Sequence, residues 1–194
     1  MKESSKLNYL DLFAGAGGLS EGFIRAEFNP IAHVEMDTAA CYTLRTRMAY
    51  HWLKENDNLE RYADYLKRTI NRTELYDFVP DSVIQSVIEA EIGGKPRAKK
   101  LQDIFCKIDE LLGNQKLNLI VGGPPCQTYS HVGRVRAPEK MKKDKRNNLY
   151  LFYAEFLKRY KPQYFVFENV PGLLSAKDEE GNSYLELMLE LFQE

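Results

Sequence analysis

The stretch Leu7-Asn8-Tyr9-Leu10-Asp11-Leu12-Phe13-Ala14-Gly15-Ala16-Gly17-Gly18 is a short apolar run that ends in a glycine-rich turn. Such a turn lets backbone approach a ligand closely and aims the N–H groups of a following helix at it. Leu19 to Ala26 reads as that helix, and Asn29-Pro30 breaks it. Ile31 to Glu35 reads as a second strand, and Thr38 opens another helix. Strand, turn, helix and strand in this order begin a doubly wound, mostly parallel α/β sheet. The turn resembles a dinucleotide fingerprint, but Ser20 stands where the last glycine belongs, and the lack of Gly-Lys-Ser/Thr argues against a P-loop. Glu35 follows Gly17 by 18 residues, at a strand end where a carboxylate accepts hydrogen bonds from ribose hydroxyls. Turn and carboxylate together favour an adenosine-containing cofactor.

Beyond this unit the periodicity changes. From about Arg45 to Lys100 the pattern predicts a helical insertion beside the sheet. Leu59, Tyr62, Ala63, Leu66 and Ile70 recur at helical spacing, and Val83, Ile84, Val87, Ile88 and Ile92 do so again before Gly93-Gly94. Lys95 to Lys100 reads as a basic loop. Sheet signals return at Leu117 to Val121 and at Tyr164 to Phe167, with helices expected over Asn148 to Tyr160 and Ser183 to Phe192. A sheet of about five parallel strands follows.

The 194 residues, 44% of them hydrophobic and 28% charged, suit one domain with a real core. No apolar run approaches a membrane span, and the first residues are polar. Cys41, Cys106 and Cys126 are too few and too scattered for a disulfide framework or a metal site, which points to a reducing, cytoplasmic compartment. The net charge of −1 announces no nucleic-acid partner, yet residues 131–146 carry +5, from seven Lys or Arg against Glu139 and Asp144. A basic loop on a mildly acidic body is a candidate footprint for phosphate.

Two further strand ends carry chemistry. Gly122-Gly123-Pro124-Pro125-Cys126-Gln127 follows the third motif-bearing strand directly. Two prolines hold the backbone extended and deny it donors, so Cys126 is presented at the carboxyl edge of the sheet. Cys41 and Cys106 read instead as small buried hydrophobes. Glu168-Asn169-Val170-Pro171-Gly172 ends the aromatic strand. A Glu after Phe-Val-Phe is expected to be partly buried, which would favour its protonated form. A glycine turn, a cysteine and a carboxylate thus face one crevice in sequence order.

These blocks resemble the signature motifs of the cytosine-5 DNA methyltransferases, in that family's order. Asp11 to Leu19, Gly123-Pro124-Pro125-Cys126-Gln127 and Glu168-Asn169-Val170 carry the likeness. Glu35-Met36-Asp37 is similar to the ribose-and-adenine block, Asp103-Ile104 to the adenine-contacting pair, and Asp144 to Tyr150 to a further block in which Asn147 replaces a glycine and Tyr150 a phenylalanine. The resemblance implies S-adenosyl-L-methionine as cofactor, held by Phe13, Ala14, Gly15, Gly17, Gly18, Leu19, Glu35, Met36, Asp103, Ile104, Pro125 and Leu149. It implies Cys126 as the nucleophile at cytosine C6, Glu168 at ring N3, and Asn169 as an orienting group. Gln127, Ser130, Arg134 and Arg136 would meet duplex DNA from which the target cytosine is flipped. The family's later arginine block, its target-recognition domain and a late helix that completes the cofactor pocket do not lie within these residues. The resemblance therefore predicts an incomplete catalytic half, inactive alone, whose missing blocks belong to a longer chain or a second subunit. A restriction–modification enzyme is the leading expectation; a transfer-RNA cytosine methyltransferase and a non-catalytic subunit are its rivals.

Overall fold

The computed structural model describes residues 6–93, 97–125, 148–178 and 180–193, with backbone alone for 97–99. Its centre is a five-stranded, wholly parallel sheet in the order β3-β2-β1-β4-β5. The strands are β1 (Asn8–Leu12), β2 (Asn29–Glu35), β3 (Val87–Glu89), β4 (Leu119–Gly122) and β5 (Tyr164–Phe167). The helices are α1 (Gly18–Arg25), α2 (Thr38–Glu55), α3 (Leu59–Leu66), α4 (Arg72–Tyr76), α5 (Asp81–Gln85), α6 (Arg97–Leu112), α7 (Leu149–Tyr160) and α8 (Tyr184–Gln193), with a 3-10 turn over Pro171–Ser175. The parallel doubly wound sheet is the one the sequence predicts.

All five residues of β1 are buried, because the strand is covered on both faces. On one face Leu10, Leu12, Ala32, Val34 and Ile120 pack with Ile104, Phe105 and Ile108 of α6 and Phe152, Tyr153 and Phe156 of α7. On the other, Tyr9, Leu119 and Val121 meet Phe23 and Ile24 of α1, while Cys41, Leu44 and Met48 of α2 close over Val87. A buried side chain of this size contributes about 1.5–3 kcal/mol, so these two layers hold the sheet. The chain runs outward from β1 to β2 and β3, then returns to β4 and β5 on the other side. The reversal between β1 and β4 is a topological switch point, and ligands of such sheets bind at the carboxyl ends of the strands there.

Two expectations for 45–100 are corrected. Val83, Ile84, Val87, Ile88 and Ile92 do not share one helix: α5 stops at Gln85, and Val87–Glu89 is the edge strand β3. The His33 N–H donates to the Ser86 carbonyl at 2.8 Å and the Ala90 N–H to the Glu35 carbonyl at 2.8 Å, so the open edge of β2 captures these β-branched residues. Arg97 to Lys100 forms the first turn of α6 rather than a loop. The remainder of the segment completes α2 and forms α3 and α4, whose Leu75 packs with Ala49 and Leu53 of α2. Cys41 is buried as expected, but Cys106 is exposed. On α6 the inward positions are Ile104, Phe105, Ile108 and Leu112, and residue 106 points away from them.

Candidate functional site

The crevice begins where β1 turns. Phe13 takes φ 58, Gly15 φ 55 and Gly17 φ 82, so the chain passes three times through the left-handed region within five residues. At Gly17 a side chain is also excluded sterically, since a Cβ there would lie 2.7 Å from Leu44 of α2. Phe13 packs against the main core and Ala14 against the α2 cluster, which spreads the turn open over the sheet edge. Gly18 is the first residue of α1, and Leu19 beside it is 37% exposed.

Glu35 holds this turn in place. Its Oε2 accepts from the Gly15 N–H at 2.8 Å, and its Oε1 accepts from the Met36 and Asp37 N–H groups, both at 2.8 Å. A carboxylate has about four acceptor positions, so roughly one is left for a ligand hydroxyl. Asp37 in turn caps α2, accepting from the Ala40 N–H at 2.8 Å. Next to Glu35 lies a cavity of about 500 Å³ lined by Met36, Ile88, Ala90, Asp103 and Ile104, among others. Met36, Ile88, Ala90 and Ile104 give it an apolar wall, and Glu89, Glu91, Lys100, Asp103 and Lys107 supply charged groups of both signs. The structure thus joins Gly15 to Glu35 by a hydrogen bond and brings Met36, Asp103 and Ile104 together around the cavity. Leu149, first in α7, reaches the main core beside Gly93, and Pro125 is exposed at the crevice.

The second half is built from the ends of β4 and β5. A Cβ on Gly122 (φ 130) would lie 1.9 Å from the Leu12 carbonyl oxygen. A Cβ on Gly123 would lie 2.1 Å from the Glu168 carbonyl oxygen and 2.8 Å from Glu168 Oε2. The paired glycines are therefore where β4 is squeezed between its neighbours, and the Glu168 carboxylate lies against the backbone three residues before Cys126. The Glu168 N–H donates to the Gly122 carbonyl at 3.0 Å. The expected burial of Glu168 is not found; it is exposed, because β5 is the edge strand. Asn169 Oδ1 accepts from the Val170 N–H at 2.9 Å, and its Nδ2 is buried without a partner among the described residues. Cys126, Gln127, Ser130, Arg134 and Arg136 lie outside the described residues.

One feature escaped the sequence reading. Asp11 is 1% exposed at the switch point, and its Oδ2 has no hydrogen-bond partner among the described residues. Burial, reinforced by the Glu35 carboxylate, pushes its carboxyl up to about 8. Beside it, His33 pairs in register with Asp11 and is fully buried, its imidazole pushed down to about 4 by burial and then by His51. His33 Nε2 lies 2.7 Å from Ser20 Oγ, which also meets the Tyr9 hydroxyl. Ser20 thus stands in place of a fingerprint glycine because it joins a buried hydrogen-bond chain. The sequence signal was a charged residue inside Tyr-Leu-Asp-Leu-Phe, an apolar run with no other reason to contain one.

The family model for C-5 cytosine-specific DNA methylases matches residues 7–74 and 85–194. This chain belongs to that family. Among relatives, the type II methyltransferase M.Bpa9945I of Bacillus paralicheniformis is 39% identical across 92% of this chain and 43% of its own length. The type II methyltransferase M.XorII of Xanthomonas oryzae pv. oryzae is 32% identical across 95% of this chain and 32% of its own. This methylase-family chain therefore spans less than half of either relative. A crystal structure of a prophage-encoded E. coli protein assigned as a DNA modification methyltransferase shares the fold. It has a TM-score of 0.54 at 23% identity, over 97% of this chain and 38% of that one.

Proposed function

We propose that this polypeptide is the cofactor-binding and nucleophile-bearing half of an enzyme that methylates C5 of cytosine in duplex DNA, in type II restriction–modification. The observation that carries the reading is the contact between Glu168 and Gly123, at the carboxyl ends of β4 and β5 in a family member. It supports the reading because Gly123 immediately precedes the Pro124-Pro125 pair that leads into Cys126. In this reading the Cys126 thiolate adds to C6 of a flipped cytosine and forms the Cys–C6 bond, while Glu168 places a proton at N3. The electron pair released into the ring makes C5 nucleophilic, and Asn169 orients the base. The Gly15 turn, Glu35, Met36, Asp103 and Ile104 would hold S-adenosyl-L-methionine, whose sulfonium methyl would pass to C5 as the S–CH3 bond breaks and S-adenosylhomocysteine leaves. Loss of the C5 proton and departure of the thiolate restore aromaticity. Gln127, Ser130, Arg134 and Arg136 contact the DNA.

Turnover in this reading needs further polypeptide. β5 supports it: Tyr164 is 64% exposed, Phe165 42% and Val166 41%, on a strand that pairs, among the described residues, with β4 alone. An apolar edge of that kind is a place for another strand to add, whether from the same chain or from a second subunit. The test is transfer of labelled methyl groups to duplex DNA and to transfer RNA by the enzyme in its full-length form, with Cys126→Ser as control. Labelling of DNA at cytosine C5, lost in the variant, is the expected result. Labelling of transfer RNA alone, or an unaffected variant, would refute the proposal.

A further inference from the structure

A second cleft, of about 650 Å³, lies between α1, α2, α3 and α4, apart from the cofactor crevice. Tyr42, Arg47 and Tyr50 line it from α2, Tyr62 and Tyr65 from α3, and Arg72 from α4. The α2 residues recur at helical spacing on the side away from Cys41, Leu44 and Met48, so this stripe is not core. Four tyrosine rings border the cleft, with Tyr50 and Tyr62 in tilted contact at 4.9 Å between centroids and 58° between planes. Two guanidiniums, those of Arg47 and Arg72, line it. Arg72 lies 3.5 Å over the Tyr42 ring and has no carboxylate within ion-pair distance among the described residues. Among the described residues Arg47 reaches only Glu21, at 3.3 Å, and its Nε is buried without a partner. Glu21 is already shared with Arg25 and His51, so the local balance is positive.

We propose that this cleft binds a nucleotide: a base stacked on the tyrosines, with its phosphate held by Arg72 and Arg47. Aromatic faces accept any base, and planar guanidiniums are the side chains best matched to phosphate oxygens. The nucleotide comes either free or as part of an unpaired strand, and the chemistry of recognition is the same. Nothing in the cleft is shared with the residues assigned to methyl transfer.

The test is calorimetric titration of the protein with thymidine 5′-monophosphate, thymidine and a hexathymidylate. It is run with and without excess S-adenosylhomocysteine, on wild type, Arg72→Gln and Tyr62→Leu, with melting curves to verify that the variants fold. The phosphate-bearing probes should bind without displacement by S-adenosylhomocysteine. Arg72→Gln should weaken them about tenfold, the size of one charge-assisted hydrogen bond, and leave thymidine unchanged. Tyr62→Leu should weaken all three. Equal binding of monomer and hexamer would identify a free nucleotide as the source, and tighter, salt-sensitive hexamer binding a strand. Should Tyr62→Leu fail to fold, Arg72→Gln and the competition arm decide. No binding at millimolar concentration, displacement by S-adenosylhomocysteine, or indifference to Arg72→Gln would overturn the proposal.

Discussion

Asp11 is a carboxyl in a place that resists its charge. Its folded value of about 8 lies above the ordinary 3.8, so between these pH values the folded state holds a proton the unfolded state has lost. Stability from this group is therefore full below about 4 and declines as pH rises toward 8. Asp11→Asn keeps the shape and removes the titration. It should raise the melting temperature more at pH 8 than at pH 5, with a gain of roughly 1–3 kcal/mol at the higher pH. Thermal melts at the two values check this. A gain independent of pH, or a loss larger at pH 8, would show that the carboxylate is stabilised by something else. The glycines give a second residue-scale contrast. Gly122→Ala must drive a Cβ into the Leu12 carbonyl and should cost about 3 kcal/mol or more. Gly15→Ala meets nothing within 4 Å and should cost only the strain of φ 55, about 1–2 kcal/mol. Equal denaturation midpoints for the two variants would contradict the squeezed-strand account.

At the scale of elements, much was legible because punctuation and periodicity agreed. β1, β2 and β4 are short apolar runs closed by glycine or a carboxylate, and α1, α2 and α7 follow them with clear starts. β3 was not legible: Val87 and Ile88 continue a helical spacing in sequence, and only the neighbouring edge of β2 turns them into a strand. Glu168 was misjudged for a related reason. Phe165-Val166-Phe167 reads as a buried strand, but burial depends on neighbours the local sequence does not name, and β5 lies at the edge. Of the residues proposed to hold the cofactor, Gly15 and Glu35 were legible from the turn and strand end, whereas Met36, Asp103 and Ile104 were legible only through family likeness; Asp103 and Ile104 reach the cavity from α6. Asp11 and His33 were hidden because register across strands, not sequence spacing, makes them neighbours.

At the scale of the whole molecule, both faces of β1 are covered, whereas on β5 Tyr153 and Phe192 pack against Phe165 and Phe167 and, among the described residues, leave Tyr164, Phe165 and Val166 partly exposed. If further polypeptide closes the cofactor crevice, these 194 residues alone should bind S-adenosylmethionine at least tenfold more weakly than the full-length enzyme. Calorimetry on both forms tests this, and equal affinities would show that these 194 residues build the pocket unaided. The central claim concerns covalent chemistry at Cys126. The most direct measurement incubates the full-length enzyme with S-adenosylmethionine and duplex DNA carrying 5-fluorocytosine at the target base. Fluorine cannot leave as a cation, so the adduct formed after methyl transfer cannot break down. Mass spectrometry of the digested complex should find the nucleotide on the Cys126 peptide, and no adduct with Cys126→Ser. An adduct on Cys41 or Cys106, or methylation by the Ser variant at the wild-type rate, would contradict the account.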